Sequence, residues 1–290
     1  MQLIKKKRML IFNNQVVLTS HLKAFSNDNK KIGFVPTMGA LHKGHLSLLE
    51  ESMGNNDVTV ISIFVNPTQF NNPEDLAKYP RTLDSDVEKI KALSKEIIIY
   101  APTVEDIYNG NTVSQHFDFD GLENQMEGKF RPGHFDGVGT IVKRLFEIVK
   151  PQNAYFGEKD FQQLQIVKKM VSKQKLPVKV IGCPIHREVN GLAMSSRNER
   201  LIPSQKEHAS IIYKTLLEAK IKFGTKTAKE VSDWVVKKFE NNKEFELEYF
   251  QIADEERLLP CIKKSKNKKY RAFIAVFVNK IRLIDTISLN

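Results

Sequence analysis

Cysteine is scarce in this chain of 290 residues. Its two cysteines, Cys183 and Cys261, form neither a C-x-x-C pair nor the spacing of a zinc site. A chain of this length can bury a substantial core without disulfides or a structural metal. The scarcity therefore favours two reduced thiols in a cytosolic protein over a disulfide or a metal site.

Long apolar runs are missing as well. The sequence has no apolar stretch of roughly eighteen residues, the length that a transmembrane helix needs. The basic cluster Lys5–Arg8 lies near the N-terminus, but the apolar core of a signal peptide does not follow it. These absences predict a cytoplasmic protein that has no membrane partner.

Two common nucleotide-binding motifs are also absent. The sequence contains neither the GxxxxGK[ST] of a P-loop nor the GxGxxG of a dinucleotide-binding fold. Both motifs present backbone N–H groups to phosphate. Their absence argues against a P-loop enzyme and against an NAD-dependent one.

Basic residues outnumber acidic ones, with 45 Lys and Arg against 34 Asp and Glu, which gives a formal net charge of +11. Such a balance suits nucleic acid, anionic lipid or phosphorylated substrates. Much of the excess lies in Lys5–Arg8 and in the run Lys263–Arg271. Only Tyr270 interleaves with these cations, so a stacking platform for bases is not indicated. We expect the second run to be a solvated loop, with a general anion-attracting surface as the alternative.

The first part of the chain alternates apolar or β-branched runs with helical patterns. The predicted strands are 32–36, 58–65, 97–100, 153–156 and 178–182. The predicted helices are 46–53, 84–93, 138–149 and 160–172. This alternation predicts an α/β fold with a parallel sheet and helices on both of its faces. Ligands of such sheets bind at the carboxyl ends of the strands.

The pattern changes after about residue 183. A long helix is predicted from Pro203 to Phe223, and Thr227–Glu230 reads as a capping box that opens another helix. Strands are predicted at 246–253, 270–278 and 281–287, with Asn279-Lys280 as a tight hairpin turn. We therefore predict two domains, 1–182 and 183–290, the second a smaller α+β domain.

The stretch 33–46, GFVPTMGALHKGHL, leads from a strand through two glycines into a helix. That arrangement brings backbone N–H groups and a helix N-terminus to a strand end, where anions bind. His42 and His45 are three residues apart and share one face of the helix. They could donate hydrogen bonds to a phosphoryl group as its charge builds. Two ordinary surface histidines are the alternative.

A second stretch, SIFVNPTQF at 62–70, leaves the next strand at its carboxyl end. Asn66 and Gln69 offer neutral donors and acceptors, which suit hydroxyl and carboxylate groups. A simple turn is the alternative.

A third stretch, FGEKDFQQ at 156–163, again leads from a short strand through glycine into a helix. Lys159 lies at the turn, where an ammonium group can neutralise a phosphate. Asp160 could accept from ribose hydroxyls, and Gln163 follows within the helix. The alternative is a capping aspartate beside a solvated lysine.

A fourth stretch, GLAMSSRN at 191–198, combines small hydroxyl residues with Arg197. It could close over a triphosphate and hold the part of it that leaves in the reaction. A flexible polar loop is the alternative.

Together and in this order, these stretches resemble the pantothenate synthetase (pantoate–β-alanine ligase) family. The matching text is PTMGALHKGH, SIFVNPTQF, YPRT, RPGHFDGV, FGEKDFQQL and GLAMSSRN. The resemblance runs from about residue 32 to 202, and the closing KIRLID also fits. The H-x-G-H motif alone would indicate only the wider nucleotidyltransferase superfamily.

The resemblance implies a reaction in two steps. Pantoate attacks the α-phosphate of ATP, giving pantoyl adenylate and pyrophosphate, and β-alanine then displaces AMP to give pantothenate. It also implies a Rossmann-like domain with a smaller C-terminal lid, a homodimer and a need for Mg²⁺, for which no side chain is assigned as a ligand.

The resemblance further implies the roles of individual residues. Catalysis would fall to His45 as proton donor, with His42, Lys159 and Arg197. The ATP-binding residues would be Met38, Gly39, Ala40, Leu41, His42, Lys43, Gly44, His45, Gly157, Glu158, Lys159, Asp160, His186, Met194, Ser195, Ser196 and Arg197. Gln69 would hold pantoate and β-alanine, Gln163 would hold pantoate, and Thr37 and Asn66 would complete the substrate site.

The chain departs from the family pattern at two of these places. His186 stands where an aliphatic residue is expected, which matters for adenine binding unless the contact there is made by backbone. Phe161 replaces a frequent tyrosine, a change that we expect to matter little.

Two other functions stay open at this point. Another adenylyl or cytidylyl transferase of the superfamily would share the H-x-G-H motif but lack the combination of VNPTQF and GEKDFQQL. A nucleic-acid-binding protein is suggested only by the net charge. We expect no specific nucleic acid partner.

Overall fold

The computed structural model describes residues 9–290, so the cluster Lys5–Arg8 lies outside the described residues. The chain divides into two compact units. The first comprises the described residues up to Phe117, Gly133–Gly157 and Val167–Cys183, and the second comprises Asp118–Pro132, Glu158–Ile166 and Pro184–Asn290. Two segments from the first part of the chain thus belong with the C-terminal residues. A division into 1–182 and 183–290 stays a prediction.

The first unit contains a six-stranded parallel sheet in the order β1-β4-β3-β2-β5-β6. Its strands are Ile11–Phe12 (β1), Ile32–Thr37 (β2), Val58–Ile63 (β3), Ile98–Tyr100 (β4), Asn153–Gly157 (β5) and Lys179–Cys183 (β6). The five strands predicted from β-branched and apolar runs are present, each to within two residues at either end. The predicted α/β fold class is confirmed.

Eleven α-helices occur between residues 9 and 290. They are Gln15–Asn27 (α1), Lys43–Asn55 (α2), Pro73–Ala77 (α3), Leu83–Leu93 (α4), Val104–Tyr108 (α5), Met126–Phe130 (α6), His134–Val149 (α7), Phe161–Lys173 (α8), Pro203–His208 (α9), Ser210–Thr225 (α10) and Ala228–Glu240 (α11). The sequence pattern missed α1, whose exposed Val16 and Val17 blur the apolar stripe. The side chain of Asn14 caps this helix by accepting from both valine N–H groups.

Buried aliphatic side chains hold the helices of the first unit against the sheet. One cluster joins residues of β2, β3 and β4 to helices α2 and α4, and it includes Val35, Leu49, Ile61, Ile90 and Ile99. Each of these side chains is fully shielded from water. Burial of such a side chain contributes about 1.5–3 kcal/mol relative to leaving it exposed, which fixes the helices on the sheet.

Gly137 allows helix α7 to approach the 3-10 turn Pro67–Gln69 closely. A Cβ atom at this position would lie 2.3 Å from the backbone oxygen of Thr68, a distance that no real Cβ contact shows. Any other residue would push the helix and the turn apart. This contact places the turn that carries Gln69.

The second unit contains an antiparallel sheet in the order β7-β8-β9, formed by Phe245–Asp254, Tyr270–Val278 and Ile281–Ser288. Val278 pairs with Ile281 across the predicted turn, and Asn279 takes a positive φ of 53° there. The predicted capping box is also present, since Thr227 and Glu230 bond reciprocally at the start of α11. The predicted α+β character of this part is confirmed.

The long helix predicted from Pro203 to Phe223 is wrong, because the chain forms α9 and α10 instead. Ala209 separates them with a ψ of −11°, and its N–H closes the last turn of α9 by bonding to the oxygen of Gln205. Ala209 is fully buried, so packing favours this tightened turn. Neither glycine nor proline marks the break, which explains why the pattern missed it.

The expectation that the run Lys263–Arg271 is wholly a solvated loop is wrong at its last residue. Arg271 lies in β8 and its side chain is 7% exposed. Its guanidinium group donates to Glu255 at 3.0 Å and to Glu158 at 3.2 Å, and it lies 4.0 Å from the ring centroid of Phe161. Two carboxylates compensate the buried charge, so Arg271 belongs to the packing of the second unit.

Among residues 9–290, no helix combines the length and the apolar character needed to cross a bilayer.

Candidate active site

The segment after β2 is held in an unusual backbone conformation. Gly39 and Ala40 have φ angles of 83° and 49°, both in the left-handed region. The hydroxyl of Thr37 donates to the backbone oxygen of Ser62 at 2.7 Å and accepts from the N–H of Gly39 at 3.3 Å. Thr37, a predicted substrate residue, therefore fixes the junction between strand β2 and the loop.

Asp86 in helix α4 holds the loop that follows β2 through hydrogen bonds to its backbone. Its fully buried carboxylate accepts from the N–H of Ala40 at 2.9 Å and from that of Leu41 at 2.7 Å. The ammonium of Lys89, one turn further along α4, donates to the backbone oxygen of Leu41 at 2.7 Å. A charged acceptor on two amides forms strong hydrogen bonds. Asp86 carries no signal in the sequence pattern, although it lies four residues after the YPRT text.

His42 and His45 lie together at the start of α2. His42 is the N-cap residue, and the two ring centroids are 4.0 Å apart. The backbone N–H of His42 donates to Nδ1 of His45 at 3.3 Å. A neutral imidazole carries one N–H, and the nitrogen that accepts is the one without it. Neutral His45 therefore carries its proton on Nε2.

Asn66 is occupied by protein contacts. Its Nδ2 donates to Oε1 of Gln69 at 3.1 Å and to the oxygen of Gly137 at 3.2 Å, while its Oδ1 accepts from the hydroxyls of Tyr108 and Thr68. Only 1% of Asn66 is exposed. The side chain thus orients the amide of Gln69.

Gln69 meets two further residues of the first unit. Its Nε2 lies 3.2 Å from Sδ of Met38, so two predicted site residues are neighbours. Its backbone oxygen lies 2.9 Å from Nδ1 of His134, at the start of α7. A carbonyl oxygen only accepts, so His134 carries its proton on Nδ1. His134 has no predicted role, although it lies within the RPGHFDGV text.

In the second unit, Glu158–Asp160 forms a 3-10 turn that follows directly on Gly157, the last residue of β5. The ammonium of Lys159 lies 3.0 Å from the carboxylate of Asp160, and the lysine side chain is 18% exposed. Gln163 is half-buried in the first turn of α8.

Gln162, beside Gln163, is buried and structural. Its amide donates to the oxygens of Leu122 and Gln125 at 2.9 and 2.8 Å and accepts from the N–H of Glu127 at 2.9 Å. The two adjacent glutamines therefore have different environments.

The segment 186–198 is a hairpin-like loop of the second unit. Arg187 bridges to Ala193, and the N–H of Met194 donates to the oxygen of His186 at 3.0 Å. The His186 side chain is exposed. Its contact with the loop is made by backbone, which any residue type can supply. The consequence of His186 for adenine binding stays a prediction.

Ser195, Ser196 and Arg197 follow at the end of this loop. Ser195 is the N-cap of the 3-10 helix Ser196–Arg200, and its hydroxyl accepts from the N–H of Arg197 at 3.3 Å. Asn198 is buried and donates to the oxygen of Ala193 at 3.0 Å. The Ser-Ser-Arg segment therefore forms a hydrogen-bonded turn.

A buried ion-pair network lies near Arg197. The carboxylate of Glu127 accepts hydrogen bonds from both terminal nitrogens of Arg282, each at 2.7 Å, and from the hydroxyl of Tyr249 at 2.7 Å. Its Oε2 also lies 3.5 Å from a terminal nitrogen of Arg131. Burial raises the pKa of Glu127, but the bonds to Arg282, the charge of Arg131 and the Tyr249 hydroxyl outweigh it and lower this pKa to about 2.

The same crowding acts on Arg131. Burial lowers the pKa of its guanidinium group, Glu127 raises it, and the like charges of Arg197 and Arg282 lower it further. Arg131, Arg197 and Arg282 therefore lie near one another, and the carboxylates of Glu127 and Glu248 compensate the charges of Arg131 and Arg282.

The predicted site residues fall into two sets. The first unit carries Thr37, Met38, Gly39, Ala40, Leu41, His42, Lys43, Gly44, His45, Asn66, Gln69 and Gly157. The second unit carries Glu158, Lys159, Asp160, Gln163, His186, Met194, Ser195, Ser196 and Arg197. Within each unit, these residues lie on segments that the contacts above hold in place.

A parallel α/β sheet that presents an H-x-G-H segment at a helix N-terminus is the arrangement expected of the nucleotidyltransferase superfamily that this motif indicates. The chain belongs to the pantoate–β-alanine ligase family, whose pattern matches residues 10–288. The family resemblance and the predicted enzyme class, a pantoate–β-alanine ligase, are confirmed.

Close relatives match the chain over nearly its full length. The pantothenate synthetase of Flavobacterium psychrophilum is 69% identical over 281 residues, which cover 97% of this chain and 100% of that protein. The pantothenate synthetase of Christiangramia forsetii is 52% identical, again over 97% and 100% of the two chains.

Solved structures share the fold. The crystal structure of pantothenate synthetase from Thermus thermophilus is similar with a TM-score of 0.88 at 37% identity, covering 97% of this chain and 99% of that one. The pantoate–β-alanine ligase of Francisella tularensis, complexed with beta-gamma ATP and β-alanine, has a TM-score of 0.80 at 36% identity, covering 97% and 98%.

Proposed function

We propose that this chain condenses pantoate with β-alanine at the expense of ATP, giving pantothenate, AMP and pyrophosphate by way of a pantoyl adenylate. The observation that carries the proposal is the family match over residues 10–288, which includes every motif described above. The relative from Francisella tularensis, complexed with beta-gamma ATP and β-alanine, supports two of the three substrates.

The first step joins pantoate to the α-phosphate. A carboxylate oxygen of pantoate forms a bond to the α-phosphorus, and the bond from that phosphorus to the pyrophosphate oxygen breaks. The protein contributes alignment and charge and needs no side-chain nucleophile. The second step joins the amine nitrogen of β-alanine to the acyl carbon. The acyl bond to AMP breaks, and the amine loses a proton.

We assign His45 as the donor to the α-phosphoryl oxygens. Its Nδ1 is engaged by the N–H of His42, so Nε2 keeps the proton that a phosphoryl oxygen needs. A preorganised donor of this kind is worth about 10²–10³ in rate. Lys159 and Arg197 balance the charge of the pyrophosphate, and His42 orients His45.

The nucleotide would bind the segments 38–45, 157–160 and 194–197 together with the backbone of His186. Since the N–H groups of Ala40 and Leu41 already donate to Asp86, these two residues would shape the site and would not donate their amides to phosphate. Asp160 would accept from the ribose.

Pantoate would bind Gln69 and Gln163, and β-alanine would bind Gln69. Neutral amides suit this role, because a fixed cation would pair with the pantoate carboxylate and blunt its attack. Asn66 would act by orienting the amide of Gln69, and Thr37 by holding the loop that carries Met38.

Mg²⁺ would enter with the nucleotide, as part of the substrate MgATP. Among residues 9–290, no group of three or more His, Cys, Asp or Glu side chains is arranged to hold a metal ion. Mg²⁺ usually binds substrate phosphates and water with only one or two carboxylates, so this arrangement is compatible with it.

The predicted homodimer and the cytoplasmic location are further parts of the proposal. Sedimentation equilibrium at several concentrations tests the first, with a mass of about twice the 33.3 kDa of one chain as the expected result. A monomer at every concentration would remove the dimer from the proposal.

The function is tested by mixing the protein with ATP, Mg²⁺, pantoate and β-alanine. Pantothenate, AMP and pyrophosphate are expected in equal amounts. Omission of either pantoate or β-alanine should stop pantothenate formation. The appearance of ADP and phosphate would overturn the adenylate mechanism, and turnover with an unrelated acid in place of pantoate would point to another specificity.

A further inference from the structure

Strand β9 of the second unit supports two of the segments that the proposed function assigns to ATP. It packs against the turn Glu158–Asp160, which carries Lys159, and against the 3-10 helix Ser196–Arg200, which carries Arg197. The two segments are about forty residues apart in the chain, so their spacing depends on a common support. The KIRLID text at 280–285 lies at the start of this strand and has no role in the mechanism above.

Asp285 is the buried carboxylate of β9. Its side chain is 2% exposed, and it accepts from both terminal nitrogens of Arg187, at 2.6 and 3.0 Å. It also accepts from the backbone N–H of Thr286 at 2.7 Å. Paired bonds of this kind fix the plane and the position of the guanidinium group.

Arg187 in turn contacts several residues at the start of the loop 186–198. Its guanidinium group donates to the oxygen of Gly191 at 3.1 Å and lies 3.7 Å from the ring centroid of Tyr213. Its backbone pairs with Ala193, just before the Met194–Arg197 segment. The loop is therefore tied to β9 through one side chain.

The electrostatics connect Asp285 with Lys159 as well. Burial raises the pKa of Asp285, and the bonds and charge of Arg187, the N–H of Thr286 and the positive charge of Lys159 oppose that effect. Burial prevails, so the pKa of Asp285 is raised above its ordinary value, and Arg187 and Lys159 are the cations that act against this rise.

We infer that Asp285 is a positioning residue of the ligase reaction, which holds the Met194–Arg197 loop through Arg187 at a fixed distance from Lys159. It touches none of the three substrates in this role. The inference rests on the proposed function, because it concerns the two cations assigned there to the leaving pyrophosphate.

The substitution Asp285→Asn tests this inference, because it keeps the shape of the side chain and removes its charge. The KM for ATP should rise about 10- to 100-fold, the order of effect that a misplacement of about 1 Å produces. The KM for pantoate and for β-alanine, measured at saturating ATP, should change less than about twofold, since uniform loss of structure would move all three. Asp285→Glu should restore part of the ATP affinity.

Amide hydrogen exchange supplies a readout that does not depend on turnover. In Asp285→Asn, the amides of 187–198 should exchange faster, including that of Met194, while the helices α10 and α11 should keep their protection. Asp285→Asn leaves the buried charge of Arg187 without its partner, which destabilises the folded protein. The double variant Arg187→Gln with Asp285→Asn removes both charges and so should fold even if the single variant does not. It should show the same selective loss of ATP affinity.

Asp254→Asn is the matched control. Asp254 is another buried aspartate of the same sheet, at the end of β7, and it accepts from the N–H of Arg257 at 2.7 Å. It should lose stability without a selective change in the KM for ATP. A folded Asp285→Asn with normal ATP affinity would overturn the inference, as would an equal loss of affinity for all three substrates. Absence of activity in the unmodified protein would instead overturn the proposed function.

Discussion

The carboxylate of Asp86 accepts a hydrogen bond from the backbone N–H of Leu41 at 2.7 Å, across 45 residues of sequence. A second bond from Ala40 completes the contact, and Ala40 has a positive φ of 49°. Left-handed backbone is costly for a residue with a side chain, so the surrounding contacts must hold it. Asp86 supplies them.

Replacement of Asp86 by alanine should therefore damage both stability and nucleotide binding. Each of the two buried amides left without an acceptor costs about 1–3 kcal/mol. The free energy of unfolding, measured by urea denaturation, should fall by a corresponding amount, and the KM for ATP should rise. Asp86→Asn keeps one acceptor oxygen, so its free energy of unfolding and its KM for ATP should lie between those of the unmodified protein and of Asp86→Ala. Asp84→Asn, an exposed change in the same helical turn, is the control, and equal effects at both positions would contradict this account.

His45→Ala should slow adenylate formation by about 10²–10³, the usual result of removing one preorganised donor. The ring is only half-buried, so the melting temperature should change little. Single-turnover measurement of pyrophosphate release checks the rate. His116→Ala removes an exposed histidine of the same unit and should be silent. Near-normal adenylation in His45→Ala would refute the assignment.

Exchange of labelled pyrophosphate into ATP separates the two half-reactions. The enzyme with ATP, Mg²⁺ and pantoate should catalyse this exchange without β-alanine, because the adenylate forms first and is kept from water. A strict requirement for β-alanine would indicate a concerted reaction.

The adjacent glutamines allow a matched test of the pantoate site. Gln163→Ala should abolish exchange mainly by weakening pantoate binding, with ATP affinity nearly unchanged. Gln162→Ala should instead lower the melting temperature, since Gln162 bonds the oxygens of Leu122 and Gln125 inside the second unit. Calorimetric titration of each variant with pantoate and with ATP distinguishes them. Equal loss of both affinities in Gln163→Ala would contradict its placement.

Glu127 should make stability depend on pH under acidic conditions. Its pKa is lowered from 4.5 to about 2 in the folded protein, so the unfolded chain binds more protons between these values. Stability from this group is fully present above about pH 4.5 and is lost as the pH falls through about 2, with a total on the order of 3 kcal/mol.

Urea denaturation between pH 2 and 6 measures the effect of Glu127 by comparison with Glu127→Gln. The variant should be less stable at pH 6, and the difference should shrink toward pH 2. A difference that stays constant across this range would mean that Glu127 is not ionised in the folded protein.

Nucleic acid should bind only weakly and without sequence preference. Binding to mixed DNA or RNA should fall steeply between about 50 and 200 mM salt, as expected for contacts to phosphate alone. Arg271 is buried in ion pairs and should not contribute, so Arg271→Ala should cost stability and leave this binding unchanged. Tight, sequence-dependent binding at physiological salt would favour the alternative function.

The sequence by itself determined the motifs, the family and every strand except the two-residue β1. Val58–Ile63 is almost wholly β-branched and fits a buried parallel strand, and Thr227 with Glu230 forms a cap within one turn. These signals are local, because each depends on residues that are neighbours in the chain. The H-x-G-H motif is a local signal as well, since the rings of His42 and His45 lie together at the start of α2.

Only the tertiary structure decided how the segments are held. Asp86 meets Leu41, Arg187 meets Asp285, and His134 meets Gln69 across 45, 98 and 65 residues, respectively. Nothing in the local pattern distinguishes these side chains from solvated ones. Arg271 shows the same limit, since it follows a run of lysines and yet points into the second unit. Burial removes water from such groups, and the partner that compensates for it is chosen by the fold and not by sequence neighbours.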